Sequence, residues 1–201
     1  MFSFKECNHK DCHVYISEPL DCCFHHASDE EKEMIMNNIR SHLGGGNTLR
    51  DTTLVGGIFE GFDFSDMNIK ASNFAFSTFH HCTFDRAKLS TVFFDFCLFY
   101  GCSFKETHTR YSVFSGANIR RNNFTDSSIV QSNFMGCDLV DSDFTSCDLY
   151  YSNFSMSKII RTPFEDCNLK RVNFRACALR EVSFRYSNPE EAFFKEGELN
   201  L

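Results

Sequence analysis

Tryptophan is absent from this chain of 201 residues. So is any run of about 18 consecutive apolar residues, which excludes a membrane-spanning helix. A basic excess is also missing: 20 Lys and Arg face 27 Asp and Glu, for a formal net charge of −7. That balance argues against nucleic acid as the partner. The first ten residues, MFSFKECNHK, hold neither an apolar h-region nor a cleavage site, so a secretory leader is not expected. Eleven Cys without a leader point to thiols in a reduced cytoplasm rather than to a disulfide scaffold.

What the chain does contain is a period of five. From Leu49 to Phe184 an apolar residue occupies every fifth position, 28 positions in all, with Thr109 as the single exception. Sixteen of the 25 Phe fall on this series. A period of five fits neither a helix nor a strand. It describes a chain that turns a corner every five residues and sends one large side chain inward each time. The position two before the large residue is small in 24 of 28 repeats, the exceptions being Asn47, Phe62, Met67 and Asn122. Asn or Asp often stands directly before the large residue, where its side chain can bond the backbone of a tight turn.

Runs such as Ser132-Asn133-Phe134-Met135-Gly136 and Cys137-Asp138-Leu139-Val140-Asp141 resemble the pentapeptide-repeat family. The resemblance implies an all-β solenoid, a right-handed quadrilateral β-helix with four pentapeptides per coil. Twenty-eight repeats then make about seven coils, a rod about 34 Å long at about 4.8 Å per coil. Residues twenty apart stack, so that Phe124, Phe144, Phe164 and Phe184 form one interior column. From Phe114 onward Phe alternates with Ile or Leu, so two opposite walls point Phe inward and two point aliphatics. The chain departs from the family in having few Gly at the last slot. Phe62 and Met67, large in the small slot, predict wider or less regular first coils. Seven Cys (82, 97, 102, 137, 147, 167 and 177) occupy the small slot and read as small buried hydrophobes. Arg121, Asp141, Arg161 and Glu181 share one outer column and predict a charge ladder.

The remaining segments flank the array. Residues 1–27 are Cys- and His-rich. Residues 28–46 read as a capping helix and glycine linker: Ser28 and Glu31 form a capping box, Met34, Ile35, Ile39 and Leu43 an apolar stripe, and Gly44-Gly45-Gly46 the stop. The array runs over 47–187. Residues 188–201 read as a short C-terminal capping helix with Asn188 as N-cap and Pro189 at the first position. Phe193, Phe194, Leu199 and Leu201 make that end apolar, and it either packs on the last coil or forms a homodimer contact, as the family sometimes does.

The chemistry-bearing constellation is at the N-terminus. Cys7, Cys12, Cys23 and His26 supply three thiolates and one imidazole, a tetrahedral set suited to a structural Zn2+. The spacing resembles small Cys-Cys-Cys-His zinc knuckles. Cys22 and His25 are adjacent alternates, with His9 and His13 nearby. In the array, His80 and His81 precede Cys82, but the His slots face outward and the Cys slot inward, which separates them as a nucleophile and base. The break at His108-Thr109-Arg110-Tyr111 marks either a bulge or tolerated drift. Tyr100, Tyr111, Tyr150, Tyr151 and Tyr186 project outward and are the candidate partner contacts. Arg161, Lys170, Arg171, Arg175, Arg180 and Arg185 are diluted by Glu165, Asp166 and Glu181.

No catalytic set emerges, so the chain is not expected to be an enzyme. The reading is a cytoplasmic, non-catalytic interaction scaffold for a protein partner, with a structural zinc site. Two alternatives stand beside it. Family resemblance suggests DNA mimicry toward a type II topoisomerase such as gyrase, a mode that needs an acidic rod, whereas residues 52–187 hold 14 acidic and 14 basic side chains. A zinc- and redox-sensing adaptor would need exposed, low-pKa thiolates.

Overall fold

The computed structural model describes residues 5–43 and 47–195. Helix α1 spans Asp29–His42. Twelve short strands follow: β1 Thr48–Arg50, β2 Ile58–Glu60, β3 Asn68–Asn73, β4 Thr78–His80, β5 Lys88–Phe93, β6 Leu98–Tyr100, β7 His108–Arg110, β8 Asn118–Arg120, β9 Ser128–Val130, β10 Asp138–Val140, β11 Lys158–Ile160 and β12 Ala178–Arg180. All pair in parallel. One sheet runs β1-β3-β5-β7-β9 and the other β2-β4-β6-β8-β10-β11-β12. Partners are twenty residues apart, as in Leu49↔Ile69 and Phe79↔Phe99, which defines a four-sided coil of twenty residues. The other two sides are joined by single parallel bridges such as Asp63↔Thr83 and Asn133↔Asn153. The molecule is an all-β solenoid of about seven turns with one N-terminal helix.

The four walls are named here by their first inward residue: Leu49, Leu54, Phe59 and Phe64. Each corner is made by the residue two after the inward one. All 28 of these have positive φ, between 45° and 77°, and only five are Gly. The left-handed corner, not glycine itself, is the repeating requirement. Asn and Asp before the inward residue brace it: the Oδ1 atoms of Asn133, Asn153 and Asn173 accept from the N–H two residues on, at 3.0–3.1 Å.

Phe rings fill two facing walls. Phe64, Phe84, Phe104, Phe124, Phe144 and Phe164 stack at centroid separations of 4.5–5.0 Å. A second column runs from Phe74 to Phe174 and meets the first edge to face, as at Phe134 and Phe144 (6.1 Å, 86°). The Phe59 wall continues with Phe79 and Phe99 before turning aliphatic at Ile119. Thr109 sits in register between Leu89 and Ile129 and is 2% exposed, so the break in the apolar series makes no bulge.

The first coils are as regular as the rest, against the expectation from Phe62 and Met67. The small slot points back toward the preceding coil. At the N-terminal end no coil precedes, so a large side chain there fills the end of the rod. Phe62 is buried against Phe59 and lies beneath Arg40 of α1, whose guanidinium carbon is 4.9 Å from the ring centre. Asn47 likewise serves the helix: its Nδ2 donates to the carbonyls of His42 and Leu43 at the C-terminus of α1. The Ser28–Glu31 capping box forms, and Ile35, Met36 and Ile39 are buried. Met34, placed in the stripe on sequence, is half exposed because it lies a step off that face. Gly44-Gly45-Gly46, Leu199 and Leu201 lie outside the described residues.

At the other end a single 3-10 turn, Pro189–Glu191, stands where a capping helix was expected. Asn188 does not cap it with its side chain; its Oδ1 accepts from the Leu169 N–H of the coil above. Pro189 is buried, and Phe194 stacks on Phe174 at 5.2 Å, so the five-residue rule runs past Phe184. Among the described residues no helix is long and apolar enough to cross a membrane.

Candidate metal centre

Residues 5–27 form a small module on the side of the first coils. A short antiparallel pairing joins Glu6 to Tyr15, with Cys7 N–H donating to the Val14 carbonyl and Ile16 N–H to Lys5. This hairpin places Cys7 and Cys12 on one side. A tight loop, closed by Ser17 N–H to the Cys22 carbonyl and Leu20 N–H to Ser17, returns the chain so that Cys23 faces them. His26 follows one turn later, its N–H bonded to the Cys23 carbonyl at 3.0 Å. The module is fixed to the rod by Glu18 N–H to the Thr53 carbonyl, Ser17 Oγ to the Val55 carbonyl and the buried ring of Phe24.

The ligand atoms of Cys7, Cys12, Cys23 and His26 all lie within 4.8 Å of one another. Cys12 Sγ is 3.9 Å from Cys23 Sγ, and His26 Nδ1 is 3.4 Å from Cys7 Sγ and 3.5 Å from Cys23 Sγ. Ordinary Zn–S and Zn–N bond lengths at tetrahedral angles give edges of about 3.8 Å and about 3.5 Å. The three separations given are close to these edges, so the cluster could hold a metal ion, with His26 Nδ1 turned toward the thiols. Burial opposes ionisation of the Cys7 thiol, but N–H groups of Cys23 and His9, with His26 and Cys12, outweigh it and bring it down to about 6. Burial pushes the Cys23 thiol up. His9 stacks on His26 at 4.1 Å and so packs against the cluster without joining it.

The alternates fall outside the cluster. The Cys22 thiol is held up by burial and by nearby Glu31. His25 lines a groove of about 350 Å3 between the module and the first coils, together with Val14, Ile58 and Phe76. His13 pairs with Glu6 instead.

The array thiols have a role that sequence reading missed. Cys97, Cys102, Cys137, Cys147, Cys167 and Cys177 each donate to the carbonyl of the inward residue 23 positions earlier, at 2.9–3.3 Å. Ser127, Ser152 and Ser157 make the same bond, and Asn122 makes it through Nδ2 to Phe99. A compact donor is thus common in the slot, although Ala87, Val92, Ala117 and Val172 fill it without one. None of the eleven Cys forms a disulfide. Cys82 is buried while His81 is exposed, which separates any dyad.

The Tyr candidates are not gathered into one patch. Tyr111, Tyr150 and Tyr151 belong to the Leu49 wall, Tyr100 to the Phe59 wall and Tyr186, 86% exposed, to the Phe64 wall. Tyr100 is half-buried beneath Arg121, which also donates to its hydroxyl at 2.8 Å. The charge ladder is correspondingly partial. Arg161 pairs with Asp141, but Arg121 turns to Tyr100 and Glu181 to Arg180.

Stacking by twenties sorts the neutral array into chemically different walls. The Phe64 wall carries Asp63, Asp66, Asp85, Glu106, Asp126, Asp143, Glu165 and Asp166 against Arg86, Lys105 and Arg185. Between residues 52 and 176 the Leu54 wall carries Asp95 and Arg175 as charges, and it exposes Phe76, Phe96, Met135 and Met156. The Leu49 wall carries Arg50, Lys70, Lys88, Arg110, Lys170 and Arg171 against Asp51 and Asp148.

A family model for a pentapeptide repeat region matches residues 77–154 and 136–200. No curated protein matches the sequence. Among solved structures, HetL is similar, a pentapeptide repeat protein involved in heterocyst differentiation regulation from the cyanobacterium Nostoc sp. strain PCC 7120. It is 13% identical over 86% of this chain and 99% of that one, with a TM-score of 0.42. A pentapeptide repeat protein of the Arabidopsis thaliana thylakoid lumen is 27% identical over 45% of this chain and 64% of its own, at a TM-score of 0.44. QnrB1, a plasmid-mediated fluoroquinolone resistance protein, is 15% identical over 76% of this chain and 84% of its own, at 0.39. With the twenty-residue coil, its left-handed corners and the family match over more than half its length, the chain belongs to the pentapeptide repeat family.

Proposed function

We propose that the protein is a non-catalytic scaffold for protein interaction whose N-terminal module is held by one structural Zn2+. Three thiolates and one imidazole fill a tetrahedral shell, which leaves no open position for a reacting water. The module has a small apolar content, and a metal would supply much of its folding free energy. The observation that carries the scaffold reading is the segregation of chemistry on a rigid rod: an acidic, a basic, a largely uncharged and a mixed wall, each extending over several coils. Repeat solenoids present such faces to partners. Affinity capture with the full chain, repeated with variants that reverse charge on one wall at a time, tests it. A partner lost on altering one wall supports the scaffold; no reproducible partner on any wall overturns it.

A second reading, DNA mimicry toward a type II topoisomerase, gains support from the Phe64 wall, which concentrates acid that the array as a whole balances. A supercoiling assay in which the protein neither inhibits gyrase nor protects it from a quinolone removes that reading.

A further inference from the structure

We infer that the Leu49 wall carries a docking site for an acidic peptide segment, centred on Ser90. This rests on the scaffold reading and names the chemistry of its partner. Strands β3, β5 and β7 lie in parallel register, so six outward side chains form a grid of two columns. One column is Asn68, Lys88 and His108; the other is Lys70, Ser90 and Arg110. Adjacent rows are about 4.8 Å apart and the columns about 6.6 Å. The short Ser90 side chain leaves a depression of about 190 Å3 between the longer ones around it. Every side chain of the grid carries an N–H or O–H donor, and none is a carboxylate.

The grid gathers three cations that lack a carboxylate partner, a lack they share among the described residues with Lys105, Arg121, Arg171, Arg175 and Arg185. Arg86, Arg120, Lys158, Arg161, Lys170 and Arg180 each have a carboxylate within 4.0 Å. Among the described residues Lys70, Lys88 and Arg110 have none; they face Ser90, Asn68 and His108 across the strands, and Lys88 stands diagonal to the other two, about 8 Å away, where repulsion is weak. A ligand that brings carboxylates supplies the partner they lack. The site's extent decides between polyanions. The grid covers three coils, about 10 Å along the rod, and the adjoining corner presents Asp66, Glu106 and Asp126 with Arg86, which pairs with Asp66. A nucleic acid, with a charge every few ångströms along its length, would run onto that acid. A peptide with carboxylates on alternate residues, about 6.8 Å apart when extended, matches the grid and ends where the acid begins.

The test is fluorescence anisotropy with the full chain and a labelled three-residue peptide, Glu-Gly-Glu, about 10 Å long when extended, at low salt. The expected result is saturable binding, weakened at least about tenfold in the combined Lys70→Glu, Lys88→Glu and Arg110→Glu variant. It should be weakened in Ser90→Glu, which leaves every cation in place, and unchanged in Arg185→Gln. Circular dichroism melts confirm that each variant folds. Absence of peptide binding overturns the site, as does equal binding by the charge-reversed chain or tighter binding of an oligothymidylate of similar length. A captured partner indifferent to these substitutions would overturn the site while leaving the scaffold reading intact.

Discussion

The thiol of Cys147 donates to the carbonyl oxygen of Phe124 at 2.9 Å, one coil and three residues back along the chain. Burial raises that thiol well above its ordinary range, so it remains a neutral donor. Ser152 makes the equivalent bond to Ile129 at 2.8 Å, which shows the two residue types to be interchangeable in this slot. Cys147→Ser is expected to leave stability within about 0.5 kcal/mol of the parent, and Cys147→Val to cost about 1 kcal/mol by removing the donor. Thermal melts of both variants check this. Equal losses would mean that volume alone sets the slot.

The corners give a cleaner separation of backbone from packing. Gly136 has φ +70° and nothing within 4 Å of where a Cβ would sit. Gly136→Ala therefore tests the left-handed conformation alone. The folded state is strained by about 1–2 kcal/mol, partly offset by the lower entropy of the unfolded chain. A net loss of about 1 kcal/mol is expected, a fall in Tm of about 2–4 °C. An unchanged melt would show that these corners tolerate L-residues without strain.

Thr109 is the one polar side chain in the inward series, and it lies buried between Leu89 and Ile129. Thr109→Val keeps the shape and removes the hydroxyl from an apolar column. It is expected to raise stability by up to about 1 kcal/mol, read as a higher melting temperature. A loss instead would indicate that the hydroxyl is needed where it is.

The period of five made the solenoid, the inward residues and the twenty-residue stacking readable from sequence, because each rests on one residue type recurring at one slot. Exceptions to a slot were harder. Phe62 looked like a disturbance, yet it closes the rod under Arg40 because no earlier coil needs a donor from it. Asn122 looked oversized, yet it replaces a thiol or hydroxyl as donor to Phe99. Both depend on which atom lies 23 residues back, a relation between coils that slot composition does not state. The Cys-Cys-Cys-His set was visible in spacing, but spacing left Cys22 and Cys23 equivalent. The loop closed by Ser17 is what turns Cys23 toward Cys12. Charge sums hid the walls altogether, because opposite excesses on two walls cancel in a count taken along the chain.

Arg161 donates through Nε and Nη2 to the two carboxylate oxygens of Asp141, twenty residues earlier. The guanidinium holds the Asp141 carboxyl below its ordinary value. Its folded pKa is thus lower than its unfolded one, so the pair contributes above the unfolded value, near about 4, and its contribution is lost as pH falls through the folded value. Arg161→Gln is expected to return the NMR titration of Asp141 toward that of a free carboxylate. Because both groups are solvent-exposed, the melting temperature at neutral pH should barely move. A titration curve that does not shift would mean that the pair is not formed in solution.

The metal centre makes two linked expectations. Purified protein is expected to carry one zinc per chain, retained in Cys22→Ser and His25→Gln and lost in Cys23→Ser and His26→Gln, because only the latter two residues face the cluster. Chelation should then unfold a part and not the whole. The module touches the rod through Glu18 to Thr53 and Ser17 to Val55, whereas coils farther along contact only their neighbours. Hydrogen exchange is expected to speed up across residues 5–27 and at the amides of the first coil, while the Phe134 amide, bonded to the Asn153 carbonyl at 2.7 Å, keeps its protection. Global loss of protection on chelation would show that the zinc module nucleates the entire solenoid. Unchanged exchange over 5–27 would show that the four ligands are held in place without metal.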